Sequence, residues 1–504
     1  MRTEPMTAEQ MRVLELNAQH LGITLGMLMQ QAGREVARAI EKRETVEQKR
    51  IVILCGTGGN GGDGMVAARH LHEAGANVEV GLIGSEKAFT SKDTELNWGI
   101  LKNIDGIVKT TLLTESDVRS YNSAGQADVL VDAMLGFGQK SKVREPMLTA
   151  VKAFNASGAR KYSIDVPTGV DSDSGQALGP AIIADVTITL HAPKTGLLLA
   201  KEFVGELVVA RIGIPPEAAK MCGPGDLWLF NRPRPADSKK GDYGRVLVIG
   251  GSDVYSGAPA LTGLAALRTG ADLVRVLVPQ AVVTPIRSYS PNLMVESLPT
   301  RVFDVTSVDM AVEAARGANV VSIGPGLGMA PETIRGVQDL LKRVLSLDMG
   351  VVVDADGLKA LPGIGIKMDP SRCILTPHWG ELQILLGQKS EPRPDIQERI
   401  RRAREAAAKY DSVILLKGPI DVIAHPDGRH KLNKTGVPAM TVGGTGDVLT
   451  GISSAMMARR RDAFEAAAAA AFVSGLAGEA AYQELGNHIT ATDCIAKIPV
   501  AMRG

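Results

Sequence analysis

The stretch MTVGGTGDVLTG, residues 440–451, places an acid inside a glycine loop that leads into a helix. Bare backbone N–H groups at a helix start, with the helix dipole behind them, attract anions. Asp447 therefore stands where a negative ligand should lie. Transfer of a phosphoryl group to a hydroxyl reconciles the two. The N–H groups of residues 443–446 stabilise charge on the transferred group, and Asp447 takes the proton of the attacking hydroxyl. No G-x-x-x-x-G-K-[ST] occurs, so a P-loop kinase is excluded. Other polar groups follow strands in the same half: GPGLG (324–328), Asp354 and Asp356 in VVVDADGL, Thr376, His378 and Glu381 in ILTPHWGEL, and Lys417 in VILLKGPID. A helix also starts from a glycine turn in VYSGAPALTGLAALRTG. Their shared position after strands, opposite a glycine loop with an acid, makes a candidate site.

The first half has its own glycine loop, GTGGNGGDG at 56–64, directly after RIVILC. Gly56, Gly58 and Gly61 satisfy G-x-G-x-x-G, so a dinucleotide dehydrogenase is the first class to test. Such enzymes carry a ribose-binding acid at the end of the next strand, whereas Glu79 sits inside NVEVGLIG. Asn60 and Asp63 exceed what a pyrophosphate cradle needs and point to ion coordination or proton chemistry beside a phosphate. Asp132 in VLVDAMLGFG and Asp165 in YSIDVPTGVDSDSG, the latter followed by Pro167, Thr168 and Gly169, also fall at strand ends. A lone acid there caps a helix or makes a turn. Three on one sheet edge, Asp63, Asp132 and Asp165, form a candidate functional cluster.

These residues need parallel strands to hold them. Near-continuous apolar runs such as RIVILCG, ADVLVDAMLG, YGRVLVIGGS and MGVVVDADGL alternate with helical stretches, the pattern of parallel sheets covered on both faces. Thr7 and Gln10 fit a capping box, with helical spacing continuing through LGMLMQQAGREVARAI. The proline- and glycine-rich stretch 222–244 reads as a break, giving an expected first domain at 1–222, a linker at 223–238 and a second domain at 239–504. The fold class expected is α/β, two doubly wound domains of different kinds. A net charge of +1, with Lys and Arg scattered, gives no reason to expect nucleic acid or an anionic membrane as partner. Four widely spaced cysteines argue against disulfides or zinc and for a reducing cytoplasm. The start MRTEPMTAEQ lacks a signal-peptide core, and AAAAAAFVSGLAG, too short to span a bilayer, reads as a buried helix.

GGNGGDG, VDAMLGFG and DVPTGVDSDSG together resemble the NAD(P)HX epimerase family over most of residues 1–220, which implies a Rossmann-like three-layer domain. That resemblance implies that hydrated NAD(P)H is bound by Gly59, Asn60, Gly61, Gly62 and Asp63, by the turn Gly136, Phe137, Gly138, Gln139, Lys140, Ser141 and Lys142, and by Asp165 at the reacting ring. It also implies a potassium ion held by Asn60, Asp132 and Thr168. The chain has Gly59 where the family commonly has Asn, and Thr168 in place of Ser. From about Lys239 onward, GPGLG, DADGL, TPHWGEL and GGTGDVLTG resemble the ribokinase-like superfamily and, within it, the ADP/ATP-dependent NAD(P)HX dehydratases. The resemblance implies hydrated cofactor at Ala258, Gly326, His378 and Asp447, and nucleotide at Lys417, Gly418, Pro419, Ile420, Asp421 and Gly446. Trp379 stands where Pro is common. It further implies a bifunctional repair enzyme using ADP or ATP with Mg²⁺, epimerase first and dehydratase second, assembled as a homo-oligomer. The alternative is a vitamin or sugar kinase of ribokinase type with a ligand-sensing first domain. It would share the G-x-G-D loop but leave a stable phosphorylated product.

Overall fold

The computed structural model describes residues 4–459 and 462–503, so the outer ends of the two expected domains, Met1 and Gly504, lie outside the described residues. The chain divides into compact units at 1–218 and 219–504.

The first unit is built on seven parallel strands: β1 (Arg50–Cys55), β2 (Asn77–Ile83), β3 (Val108–Leu112), β4 (Val129–Ala133), β5 (Arg160–Ile164), β6 (Val186–Leu190) and β7 (Glu206–Ala210). Their order across the sheet is β3-β2-β1-β4-β5-β6-β7. Every residue of β4 and β6 is buried, because helices cover both faces. The edge strands β3 and β7 do not stand out in the sequence, since VKTTL and ELVVA are largely half-exposed and mix polar with apolar residues. The expected capping box is present at Thr7 and Gln10. The single helical run expected after it is two helices, Ala8–His20 and Leu25–Glu41. Gly22, at φ +90°, breaks the run, and Thr24 caps the second helix through Met27 N–H.

The glycine loop after β1 is tighter than a loop. The helix Gly59–Glu73 starts inside it, so Asn60 to Asp63 form its first turn. A Cβ on Gly61 would lie 1.9 Å from the Gly56 carbonyl oxygen. Only glycine lets strand and helix approach this closely.

The second unit holds nine strands: β8 (Arg245–Ile249), β9 (Leu273–Pro279), β10 (Met294–Leu298), β11 (Val320–Ile323), β12 (Gly350–Val353), β13 (Cys373–Leu375), β14 (Val413–Leu416), β15 (Asp421–Ala424) and β16 (His430–Asn433). They run β10-β9-β8-β11-β12-β13-β14-β15-β16. Parallel pairing extends from β10 to β14, and then β15 and β16 pair antiparallel. Residues 417–420 are thus the turn of a hairpin, closed by Gly418 N–H donating to Asp421 Oδ1 at 2.9 Å.

The expected linker is a correction. Residues 224–228 form a short helix in the second unit, and Cys222, Leu227, Leu229 and Phe230 are buried. Asp226 pairs with Lys431, and Cys222 N–H donates to Leu432 O at 2.9 Å. The apolar run LWLF inside the proline-rich stretch needs cover, and the second unit's core supplies it. The expected boundary at 222 therefore moves back to 218.

The Ala-rich segment is the buried helix Ala463–Leu485, as expected. Its glycines form a groove for the chain that leads to the 440–451 loop. A Cβ on Gly475 would lie 2.1 Å from Thr435 Oγ1, and one on Gly478 2.1 Å from Met440 Sδ. Among the described residues no helix is long and apolar enough to cross a membrane.

Candidate functional site

In each unit the chemistry-bearing residues collect at the carboxyl ends of parallel strands, where open α/β sheets bind ligands. Backbone strain marks the same places. Of five non-glycine residues at positive φ among the described residues, Asp165 (+67°) directly follows β5, His191 (+65°) directly follows β6, and Ala355 (+49°) follows β12. Such conformations persist where surrounding contacts impose them, and they concentrate at functional sites.

The first unit opens a cavity of about 610 Å³ there. Gly59, Asn60, Asp63, Gly136, Phe137, Gly138, Gln139 and Asp165 line it, joined by Arg12 and Glu15 from the first helix. Gly61 and Gly62 are buried beneath the helix start and serve packing. Lys140, Ser141 and Lys142 lie off the cavity wall and are exposed, and Lys140 is already paired with Asp173 at 2.7 Å. The charge of Lys140 is therefore answered locally by Asp173.

Asp165 has a partner that the sequence reading missed. Lys194, 1% exposed, forms an ion pair with Asp165 Oδ1 and also donates to Leu190 O at 2.9 Å. Leu190 N–H donates to Asp165 Oδ1 at 3.2 Å, whereas Asp165 Oδ2 receives Phe137 N–H at 3.3 Å. Lys194 Nζ also lies 5.6 Å from the centroid of the Phe137 ring. The available signal was HAPKTG after β6, a polar residue following a strand like the others. Asp63 has the opposite character. Burial first, then the charges of Asp165 and Glu15, push its carboxyl well above the ordinary range. Burial also raises the Glu15 carboxyl, against the pull of Arg12 at 3.1 Å. A carboxylate paired with a lysine and a carboxyl pushed toward its protonated form thus share one cavity, an arrangement suited to acid–base chemistry.

Asp132 and Thr168 lie just beneath. Asp132 Oδ1 accepts from Thr168 Oγ1 (2.8 Å) and Met134 N–H (3.1 Å), and Oδ2 from Thr168 N–H (2.8 Å) and Ser163 Oγ (3.0 Å). Burial pushes its carboxyl up to about 6 even against these four donors. Asn60 Nδ2 donates to Leu135 O at 2.9 Å, and Leu135 N–H donates to Thr168 Oγ1 at 3.0 Å. Asn60 Oδ1 is buried without any hydrogen-bond partner.

In the second unit, Asp447 begins the helix Thr445–Arg459. Burial, then the charge of Asp354, raises its carboxyl to about 7, with Lys417 opposing and Asp356 adding. Lys417 Nζ donates to Asp354 Oδ1 at 2.7 Å, and Thr450 Oγ1 holds Oδ2 at 2.7 Å. Gly446 belongs to the same cluster, since a Cβ there would lie 3.4 Å from Lys417 Nζ. Ala258 and Gly326 adjoin one another, because a Cβ on Gly326 would lie 3.4 Å from that of Ala258. The helix carrying Ala258 borders the loop, as a Cβ on Gly444 would lie 2.6 Å from Leu261 Cδ1. His378 caps the helix Trp379–Leu386: its Nδ1 accepts from Gly380 N–H (3.0 Å) and Glu381 N–H (3.3 Å). The ring hydrogen is therefore on Nε2, which lies 3.5 Å from Glu381 Oε1 on a side chain that stays exposed. Asp421 is occupied otherwise, half-buried and bonded to Asn433 Nδ2 at 3.0 Å, with desolvation of its carboxyl raising it to about 6.

The family model described as NAD(P)H-hydrate dehydratase matches residues 246–500, and that of the YjeF-related protein N-terminus matches 25–196. The chain is 45% identical to the bifunctional NAD(P)H-hydrate repair enzyme Nnr of Pyrobaculum aerophilum over 99% of this chain and 98% of that one. It is 41% identical to the Nnr enzyme of Hyperthermus butylicus over 99% and 92%. Among solved structures it is similar to the ADP/ATP-dependent NAD(P)H-hydrate dehydratase of Bacillus subtilis co-crystallised with ATP and Mg²⁺, at 30% identity and a TM-score of 0.46, covering 55% of this chain and 96% of that one. With an acid-lined cavity at one sheet edge, a glycine loop with its own carboxylate at the other, and relatives matching both halves end to end, the chain belongs to the bifunctional NAD(P)H-hydrate repair enzymes, which join an epimerase domain to a dehydratase domain.

Proposed function

We propose that the first unit interconverts the R and S forms of hydrated NAD(P)H over Asp165, and that the second dehydrates the S form by phosphorylating its 6-hydroxyl at Asp447. The observation that carries this reading is a carboxyl raised to about 7 at the start of a helix, among glycine N–H groups and beside Lys417.

In the first unit, the ring nitrogen of the hydrated nicotinamide expels the 6-hydroxyl and forms an iminium. Water re-enters from either face. Asp63, kept protonated by burial and its anionic neighbours, supplies the proton with which hydroxide leaves as water. Asp165 Oδ2, the oxygen Lys194 does not bind, takes the proton of the returning water.

The oxygen-rich ground under this cavity fits a potassium ion. Asn60 Oδ1 is the buried oxygen without a partner, and Thr168 and the Asp132 carboxylate stand in the same bonded cluster. A cation held by Asn60, Asp132 and Thr168 would offset the buried carboxylate and fix the helix start against β4. Exchanging K⁺ for choline should lower the thermal midpoint of the first unit and slow epimerisation. In Asn60→Ala that exchange should change neither; an undiminished salt effect there would remove Asn60 from the site.

In the second unit, the 6-hydroxyl attacks the terminal phosphorus of ADP or ATP while Asp447 accepts its proton. The bond from that phosphorus to the donor's bridging oxygen breaks, and the donor leaves one phosphate shorter. Hydroxide is a poor leaving group and a phosphate ester a good one. The ring nitrogen then expels phosphate, and loss of the neighbouring C–H proton restores the dihydronicotinamide. Ala258, Gly326 and the Nε2–H of His378 hold the hydrated cofactor. Lys417, Gly418, Pro419, Ile420 and Gly446 hold the nucleotide, on a turn that Asp421 closes and with Gly446 beside Lys417 in support. Mg²⁺ would come with the nucleotide, offsetting charge on its phosphates and keeping several waters. The protein groups at hand fit that role, because both Asp354 oxygens are taken and Asp447 carries no hydrogen bond among the described residues.

Four free, buried cysteines agree with a reducing compartment such as the cytoplasm. Hydrated NADH with ADP, with ATP and with neither tests the whole reading by recovery of absorbance and release of inorganic phosphate. Both signals should need nucleotide and rise together. Accumulation of a stable phosphorylated product without recovery would restore the sugar- or vitamin-kinase alternative.

A further inference from the structure

A cation without an answer lies under the hairpin turn at 417–420. Arg399, in the first turn of the helix Ile396–Tyr410, is 4% exposed, yet its Nε and Nη2 are buried with no hydrogen-bond partner among the described residues. Buried guanidinium groups are ordinarily paired, because lost hydration must be replaced. Its position is specific. A Cβ on Gly418 would lie 2.3 Å from Arg399 Nη2 and 2.9 Å from Cζ. The guanidinium therefore lies directly against the backbone of the turn, in space that a side chain at 418 would contest.

The charges nearby do not satisfy it. Asp421 favours the charged form of Arg399, but its carboxylate is already engaged by Gly418 N–H at 2.9 Å and Asn433 Nδ2 at 3.0 Å. Arg393 adds like charge. Lys417, on the same turn, has its own partner in Asp354 at 2.7 Å. One of the two cations at the turn is thus matched and the other is not.

We propose that Arg399 is a positioning residue for the nucleotide: its charge is answered by the phosphate chain of a nucleoside diphosphate or triphosphate seated on the turn. The inference rests on the assignment of residues 417–420 to nucleotide binding. A guanidinium screened little by water acts on such a polyanion through the thickness of one glycine backbone. It also braces the turn from beneath, fixing the position of Gly418, whose N–H is held by Asp421, and of the neighbouring Lys417. The recognition is for phosphate charge, not for the base or sugar.

Calorimetric titration of the full chain with ADP, ATP and adenosine tests this. In Arg399→Met the Kd for ADP and ATP should rise roughly tenfold or more, with the Kd for adenosine unchanged and epimerisation unaffected. Arg399→Lys should recover part of the loss, because it restores charge without the planar fork. An unchanged Kd for ADP in Arg399→Met overturns the proposal, and so does an equal loss for adenosine, the mark of a merely structural role. Should Arg399→Met not fold, the same comparison in Arg399→Lys decides, a selective loss for ADP and ATP supporting the proposal and a uniform or absent one overturning it. Lys417→Met separates the two levels of inference. If it too leaves ADP affinity intact, the nucleotide assignment of the turn falls; if it alone weakens ADP, only the role of Arg399 does.

Discussion

Asp447→Asn should cut nucleotide-dependent recovery of NADH from its hydrate by roughly 10²–10⁴-fold, the usual worth of a general base, and leave epimerisation by the same chain unchanged. Normal turnover in this variant would sink the assignment of Asp447. The wild-type pH profile gives a second reading of the same group. Its ionised form is the active one, so kcat/KM should rise with pH and level off above about 7. The neighbours set the midpoint: Asp354→Asn removes a negative charge and should lower it, while Lys417→Met removes a positive one and should raise it. Stability should respond in the opposite sense to activity. The ordinary value for the carboxyl is 3.8, and burial raises it to about 7 in the folded chain. Between those values the folded state binds more protons than the unfolded one, so this group's contribution falls as pH rises through that window. At pH 8 Asp447→Asn should therefore melt higher than wild type while being inactive as a dehydratase.

The second large effect belongs to Asp165 and Lys194. Asp165→Asn should slow R-to-S conversion by roughly 10²–10⁴-fold, read by chromatographic separation of the epimers, with dehydration of the pure S form untouched. An unchanged conversion rate would remove Asp165 from the chemistry. Lys194→Met strands a carboxylate that is 3% exposed, and breaking a buried pair in this way costs about 3–5 kcal/mol. The first unit of that variant should lose both stability and epimerisation. Lys194→Arg keeps the charge but not the fit, and should recover stability better than rate.

How far the sequence announces this arrangement depends on what each residue does for the sheet. Central strands such as β1, β4 and β12 are legible because burial on both faces demands unbroken Val and Ile runs. The acids at strand ends, Asp132 within the last two residues of β4, Asp165 after β5 and Asp354 after β12, are legible for the same reason: the apolar run stops and a carboxylate appears. Edge strands β3 and β7 and the hairpin β15–β16 obey a weaker pattern, since half-exposed strands mix their residues. Lys194 escaped because its meaning lies in a contact with Asp165, 29 positions away, that nothing in HAPKTG reveals. His378 shows the reverse. The residue was found as a ligand-binding candidate, yet half of its ring is spent capping a helix, and only the structure tells which nitrogen remains.

The glycines of the helix Ala463–Leu485 carry a consequence for how such chains can be recombined. Thr435 and Met440 rest where Cβ atoms on Gly475 and Gly478 would otherwise be, and this seat fixes the entry to the loop that holds Asp447. The loop and the helix are thus two halves of one steric fit. A larger residue at 478 requires the side chain at 440 to give way, whereas one at 475 meets the backbone of Thr435 at 2.5 Å and requires the segment itself to move, so the two segments should drift together. In a chimera with a relative, the segment and the helix would have to be exchanged together. A crossover between them would leave every reacting group in place and still displace the loop.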